Sequence, residues 1–201
     1  MIPLTKYPLP LFLFFSLLPL KSYGQGWSFD DASFEWGKVT LGFVGGITAH
    51  ELGHYAVASS KGYKVGHDGL SIVYPGANFN DADQLQVASA GIQTQWLMAE
   101  LAFRDHKGIK MREPPGNFGA GVICAHLGIT LAYQTVLKGH QQGDVAGIAQ
   151  ATRLSNDRIA LALAIPGVLD AWRLFGNEVP EWVPQLSMLS KGVGVAWAWT
   201  Y

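Results

Sequence analysis

The chain has 201 residues, of which 49% are hydrophobic and 14% charged, where an ordinary soluble domain carries about 25% charged residues. The length suits one domain with a real core, and the charge deficit with a positive mean hydropathy points towards a membrane protein. A net charge of -1 offers no basic field for nucleic acid, and the single cysteine, Cys124, excludes an intrachain disulfide and a cysteine zinc cage.

The N-terminus, MIPLTKYPLPLFLFFSLLPLKSYGQG, has a basic start at Lys6, an apolar run from Leu9 to Leu20, and the small residues Ser22 and Gly24 before Gln25. This is the pattern of a secretory signal peptide. About a dozen apolar residues fall short of the roughly 20 that cross a bilayer as a helix. The expected organisation is a signal peptide over 1–24 and a single membrane-embedded domain over 25–201. Residues 26–37 read as an exposed polar and aromatic lead-in.

Segment A, Val39 to Ser59, is helical by length and small-residue content. Its Gly45, Ala49 and Gly53 recur every four residues, a stripe that lets helix backbones approach closely in lipid. Lys61 to Asp83 reads as a loop with a strand-like centre at Leu70 to Tyr74, flanked by turn formers (Asp68-Gly69, Pro75-Gly76, Asn78). Segment B, Leu85 to Phe103, is apolar but carries Gln86, Gln93, Gln95 and Glu100; Gln93 and Gln95 suit helix-to-helix hydrogen bonds. A basic stretch, Arg104 to Asn117, leads into segment C, Phe118 to Leu137, the most lipid-like run. His126 in segment C, beside Cys124, reads as a hydrogen-bonded core histidine, and His67, His106 and His140 as solvated loop residues. Lys138 to Asp157 is polar, with a short amphipathic helix after Gly143-Asp144. Segment D, Arg158 to Phe175, contains Pro166 and Asp170. Segment E, Trp182 to Trp199, is a weak span because Lys191 sits in it. Trp36, Trp182, Trp197 and Trp199 fall at segment ends, where interface-seeking rings belong.

The fold class expected from these elements is mainly α: a polytopic, multi-pass integral membrane bundle of about four to five helices with a short β-strand element after the first core helix. Its orientation is in conflict. A cleaved signal peptide puts the loop with Arg104, Lys107, Lys110 and Arg112 outside, whereas the positive-inside rule puts it inside.

Within segment A stands HELGH, residues 50 to 54. On a helix, residues i and i+4 share a face, so His50 and His54 can aim ring nitrogens at one ion, and neutral imidazoles suit zinc. Glu51 falls beside the ion rather than on it, where a carboxylate can take a proton from an activated water and pass it to a leaving amine. Three ionisable groups in five residues of an apolar helix are costly unless paired or ligating. A catalytic zinc takes three protein ligands. Asp170, a hard oxygen donor in an apolar helix, is the first candidate for the third, against the alternative that it pairs with Arg173 one turn on. Asp144 is the competitor, against the alternative that it caps a helix after Gly143. Glu100 is a weaker option.

With those residues in place the chain resembles the site-2 proteases, which are intramembrane zinc metalloproteases. His50, Glu51 and His54 match the first motif of that family fully. ASAGIQTQW, with Ala90 and Gly91, looks like the second, with Ile92 where proline is usual. IPGVLDAWRL looks like the third, with Ala171 where glycine is usual and Asp170 in the ligand position. The resemblance implies a Zn2+ cofactor, a membrane protein or peptide as substrate, hydrolysis in or near the lipid bilayer, and substrate pairing along the strand near Leu70 to Tyr74. Two other readings keep part of the motif: a non-catalytic metal-binding membrane scaffold, and a secreted soluble zincin that uses Glu100.

Overall fold

The computed structural model describes residues 26–29, 33–69, 71–104, 115–137 and 139–201. The expected signal peptide, His106, Lys107, Lys110 and Arg112 lie outside the described residues. In chain order the elements are α1 (Trp36–Ser60), β1 (Gly66–Asp68), β2 (Ser71–Val73), α2 (Asp81–Ala102), α3 (Asn117–Gln134), α4 (Asp144–Thr152), α5 (Asn156–Phe175) and α6 (Trp182–Thr200). The helical expectation and the strand after the first core helix are both present, with six helices among the described residues, rather than four to five, and a two-stranded antiparallel hairpin.

The membrane bundle is a correction. Among the described residues no helix is long and apolar enough to cross a membrane. Length is not the obstacle for α1, since 25 residues at 1.5 Å each make about 37 Å. Composition is: Lys38, His50, Glu51 and His54 interrupt it, and most of its remaining residues are small. Helix α2 carries Asp81, Asp83, three glutamines after Gln84 and Glu100, and α5 carries Asp157, Arg158, Asp170 and Arg173. The low charge content of the chain is made up by glycine and alanine rather than by long aliphatic runs. The orientation conflict rested on spans through α1 and α2, neither of which is long and apolar enough to cross.

Small residues set how the helices pack. The buried face of α1 is Val39, Gly42, Gly46, His50, Gly53, His54 and Ala58, a seam of three- and four-residue steps. Its N-terminal half crosses α3 so closely that a methyl group on Gly46 would stand 2.8 Å from Cβ of Ala125. Its C-terminal half lies on α2, where a methyl on Gly53 would stand 2.7 Å from the carbonyl oxygen of Ala90. The stripe expected at Gly45, Ala49 and Gly53 is thus shifted: Gly53 is buried, and Gly42 and Gly46 take the other places.

Helix α2 begins one turn before the apolar run, because the Asn80 side chain accepts from the Asp83 amide at 2.8 Å, an N-cap. Asp83 also receives Lys61 Nζ at 2.5 Å and the Tyr63 hydroxyl at 2.7 Å, which ties the end of α1 to the start of α2 and closes the loop that carries the hairpin. On the other side of α2, α4 buries Val145, Ile148, Ala149 and Ala151 against Leu85, Ala88, Ile92 and Trp96, with Ile159 and Leu163 of α5. Each fully buried Val or Ile contributes roughly 1.5–3 kcal/mol, enough to seat a nine-residue helix that would not form alone.

Candidate metal centre

One turn of α1 presents His50 and His54 side by side, both 5% exposed, with Nε2 atoms 3.1 Å apart. The Nδ1 of His54 lies 2.8 Å from the carbonyl oxygen of Val87 on α2. A carbonyl only accepts, so Nδ1 carries the hydrogen and the neutral ring keeps its lone pair on Nε2, the arrangement found behind ligating histidines. Asp144, in the first turn of α4, closes the set. Its Oδ2 is 3.1 Å from His50 Nε2 and its Oδ1 is 3.2 Å from His54 Nε2. The hydroxyl of buried Tyr133, near the end of α3, donates to Asp144 Oδ2 at 2.5 Å. The side chain of Asp144 does not cap its helix.

These donors fit a small divalent cation. Bonds of 2.0–2.1 Å in a tetrahedral shell place ligand atoms about 3.3 Å apart; the two Nε2 atoms here are 3.1 Å apart, with His50 3.1 Å from one oxygen of the Asp144 carboxylate and His54 3.2 Å from the other. Without a cation, two imidazole lone pairs and a carboxylate would converge on one point. The chain then resolves the conflict with a proton. Burial opposes charge on His54, but the Asp144 carboxylate outweighs it and raises the ring to about 9. Burial likewise works to raise Asp144, and the two imidazoles overcome it, holding the carboxyl well below its usual range. Burial first, then the charge of Asp144, pushes the Tyr133 phenol up, so it stays a donor.

Gly91 on α2 is the floor of the site. A methyl there would stand 2.6 Å from both Cε1 and Nε2 of His50 and would also overlap Nε2 of His54. Only glycine lets α2 pass beneath both rings. Glu51 reaches the hairpin, where its Oε2 accepts from the Ile72 amide at 3.1 Å, and it stays near enough to the rings for its charge to help raise His54.

Asp170 is elsewhere. It is fully buried between Lys191 Nζ at 2.5 Å, Arg173 Nη1 at 3.0 Å and the Ser187 hydroxyl at 2.5 Å. Glu100 completes that cluster, bidentate with Arg173 at 2.6 and 3.1 Å and 2.6 Å from Lys191. Burial raises Asp170, and Lys191 and then Arg173 reverse this and hold it low. The structure therefore brings Asp144 to the imidazoles, and gathers Asp170 and Glu100 into a second, charge-balanced group. His126 faces that group, with Nε2 3.5 Å from Asp170 and neither ring nitrogen hydrogen-bonded among the described residues. Gln93 joins helices as expected, accepting from Trp199 Nε1 at 2.8 Å, whereas Gln95 does not: its buried Nε2 has no hydrogen-bond partner among the described residues.

Tyr133 and Ile72 had no sequence signal. Tyr133 is one hydroxyl at the end of an apolar helix, and Ile72 acts through its backbone. A cavity of about 470 Å³ lies on the far face of α2, among Ile92, Trp96, Leu163, Pro166, Leu186 and Trp197. It is apolar and holds none of the residues of the metal centre. The chain matches no known family, no characterised protein and no solved structure.

Proposed function

We propose that the chain is a zinc-dependent peptidase in which His50, His54 and Asp144 hold the ion and Glu51 is the general base. The observation that carries this reading is the convergence of His50 Nε2, His54 Nε2 and the Asp144 carboxylate: the two nitrogens are 3.1 Å apart and each lies within 3.2 Å of one oxygen of the carboxylate. When bound, zinc supplies a Lewis acid that polarises a carbonyl and lowers the pKa of a coordinated water to about 7. The chain supplies the rest. Val87 and Tyr133 fix the orientation of His54 and Asp144, as outer partners of ligands do. Glu51, one residue from His50 and only half-buried, receives a proton from water and delivers it to the leaving amine. Three protein ligands leave a fourth position for water or substrate.

The peptide bond as substrate comes from the resemblance of HELGH and its neighbours to the site-2 proteases; crossing the bilayer is not part of the proposal. A second reading, a non-catalytic structural ion, draws on the near-complete burial of both imidazoles. Glu51→Gln separates the two. A peptidase keeps one zinc per chain and loses at least a hundredfold in cleavage of an unfolded casein substrate. A wild-type protein that binds zinc but cleaves no faster than Glu51→Gln is a structural metalloprotein.

A further inference from the structure

We propose that the backbone amide of Ile72 is a positioning group for Glu51, so that the β1–β2 hairpin, and not α1 alone, sets where the base points. This rests on the peptidase reading for its kinetic consequence, but the contact itself is independent of it.

The hairpin register pairs Gly66 with Val73, His67 with Ile72 and Asp68 with Ser71. Only residues 69 and 70 lie between the last pair, with Gly69 at φ +62°. In a two-residue hairpin the closing pair, Asp68 and Ser71, exchanges hydrogen bonds, and the next pair, His67 and Ile72, turns its N–H and C=O groups outward. The Ile72 amide therefore belongs to the free edge of β2, and Glu51 Oε2 is what it meets, at 3.1 Å. A glutamate on a helix has three rotatable bonds. On α1 no other described residue hydrogen-bonds Glu51, so this amide is the contact that selects its rotamer. With Oε2 engaged, Oε1 is left to receive the proton from water. The loop delivering the amide is itself pinned at its base by the contacts of Lys61 and Tyr63 with Asp83.

The outward direction of this N–H makes a clean test. Proline at position 72 removes the amide hydrogen without breaking a β1–β2 hydrogen bond, the one setting in which strands accept it. Residue-resolved hydrogen exchange on the metal-free protein reads the contact directly. The Ile72 amide should exchange about tenfold or more faster in Glu51→Ala than in the wild type, while the Val73 amide, bonded within the hairpin, stays unchanged. Equal Ile72 exchange in the two proteins overturns the proposal, whatever the protein catalyses. In the zinc-loaded protein, Ile72→Pro should retain one zinc per chain and an unchanged KM, with kcat down at least tenfold, and Ile72→Ala, which keeps the N–H, should retain wild-type kcat. Matching kcat values in the proline and alanine variants, or a gain in kcat with proline, overturns it. If the wild type cleaves nothing, the peptidase reading fails, and the exchange measurement still decides the contact.

Discussion

Gly91→Ala tests how tightly the metal centre is built. The added methyl would lie 2.6 Å from two atoms of the His50 ring, about 0.8 Å inside ordinary contact. Helix α2 has no room to retreat, since Gly147 of α4 already packs so closely on it that a methyl there would stand 2.7 Å from Ala88 Cβ. The rings must therefore swing, by a distance that is a large fraction of a 2.0–2.1 Å zinc–nitrogen bond. Overpacking of this kind costs about 1–3 kcal/mol in the metal-free protein. Displaced ligands should lower zinc affinity by roughly 10–100-fold, as loss of a ligand's supporting partner does. Urea unfolding of the metal-free protein and zinc competition against a chromophoric chelator measure the two effects. A Gly91→Ala protein with wild-type stability and zinc affinity would refute the packing argument, because the rings would then not be where α2 needs glycine.

Three further outcomes follow from the same geometry. Tyr133→Phe removes the donor to Asp144 Oδ2 and should weaken zinc binding by about 10–100-fold, with the circular dichroism spectrum unchanged. Asp170→Asn leaves Lys191 and Arg173 short of a buried counter-charge and should cost about 3–5 kcal/mol in urea unfolding, while zinc stoichiometry stays at the wild-type value. His126 should make stability fall in acid. Burial lowers its ring to about 4, with the Asp170 carboxylate opposing and Lys191 assisting. A depressed histidine means that the unfolded chain takes the proton first. Its neutral-state stability is complete above pH 6.5 and is lost as the pH falls from 6.5 through about 4, by roughly 3 kcal/mol in all. Chemical unfolding across that range should show the loss in the wild type and a correspondingly smaller one in His126→Leu.

What the sequence reveals is local. The HELGH helix, the strand near Ile72 and the short helix opening at Asp144 are all written in neighbouring residues, through a four-residue histidine spacing, turn formers and a Gly-Asp start. The capping of α2 by Asn80 is equally local, but polar residues before an apolar run draw less attention than the run itself. Hydrophobic composition overstates the helices as spans because alanine raises the apolar count, and glycine keeps the charge count low, without the continuous aliphatic surface that a span needs. The two aspartates show the deeper limit. An acid in an apolar helix must have a partner, and Asp170 has one at i+3 in Arg173, as well as Lys191 on a different helix. Asp144 meets histidines some ninety residues earlier, because α4 packs on α2 and α2 on α1. Which acid reaches which cation depends on helix packing that no spacing rule encodes. The roles of Tyr133 and of the Ile72 amide arise from that same packing.

The central claim is that His50, His54 and Asp144 form one cation site, and zinc content with X-ray absorption at the zinc edge tests it most directly. The wild-type protein should hold one zinc per chain, with a first shell of nitrogen and oxygen at 2.0–2.1 Å that includes two imidazoles, and Asp144→Ala should lose most of that metal under the same dialysis. A folded wild-type protein that takes up no stoichiometric zinc, or an Asp144→Ala protein that keeps the same shell, would contradict it.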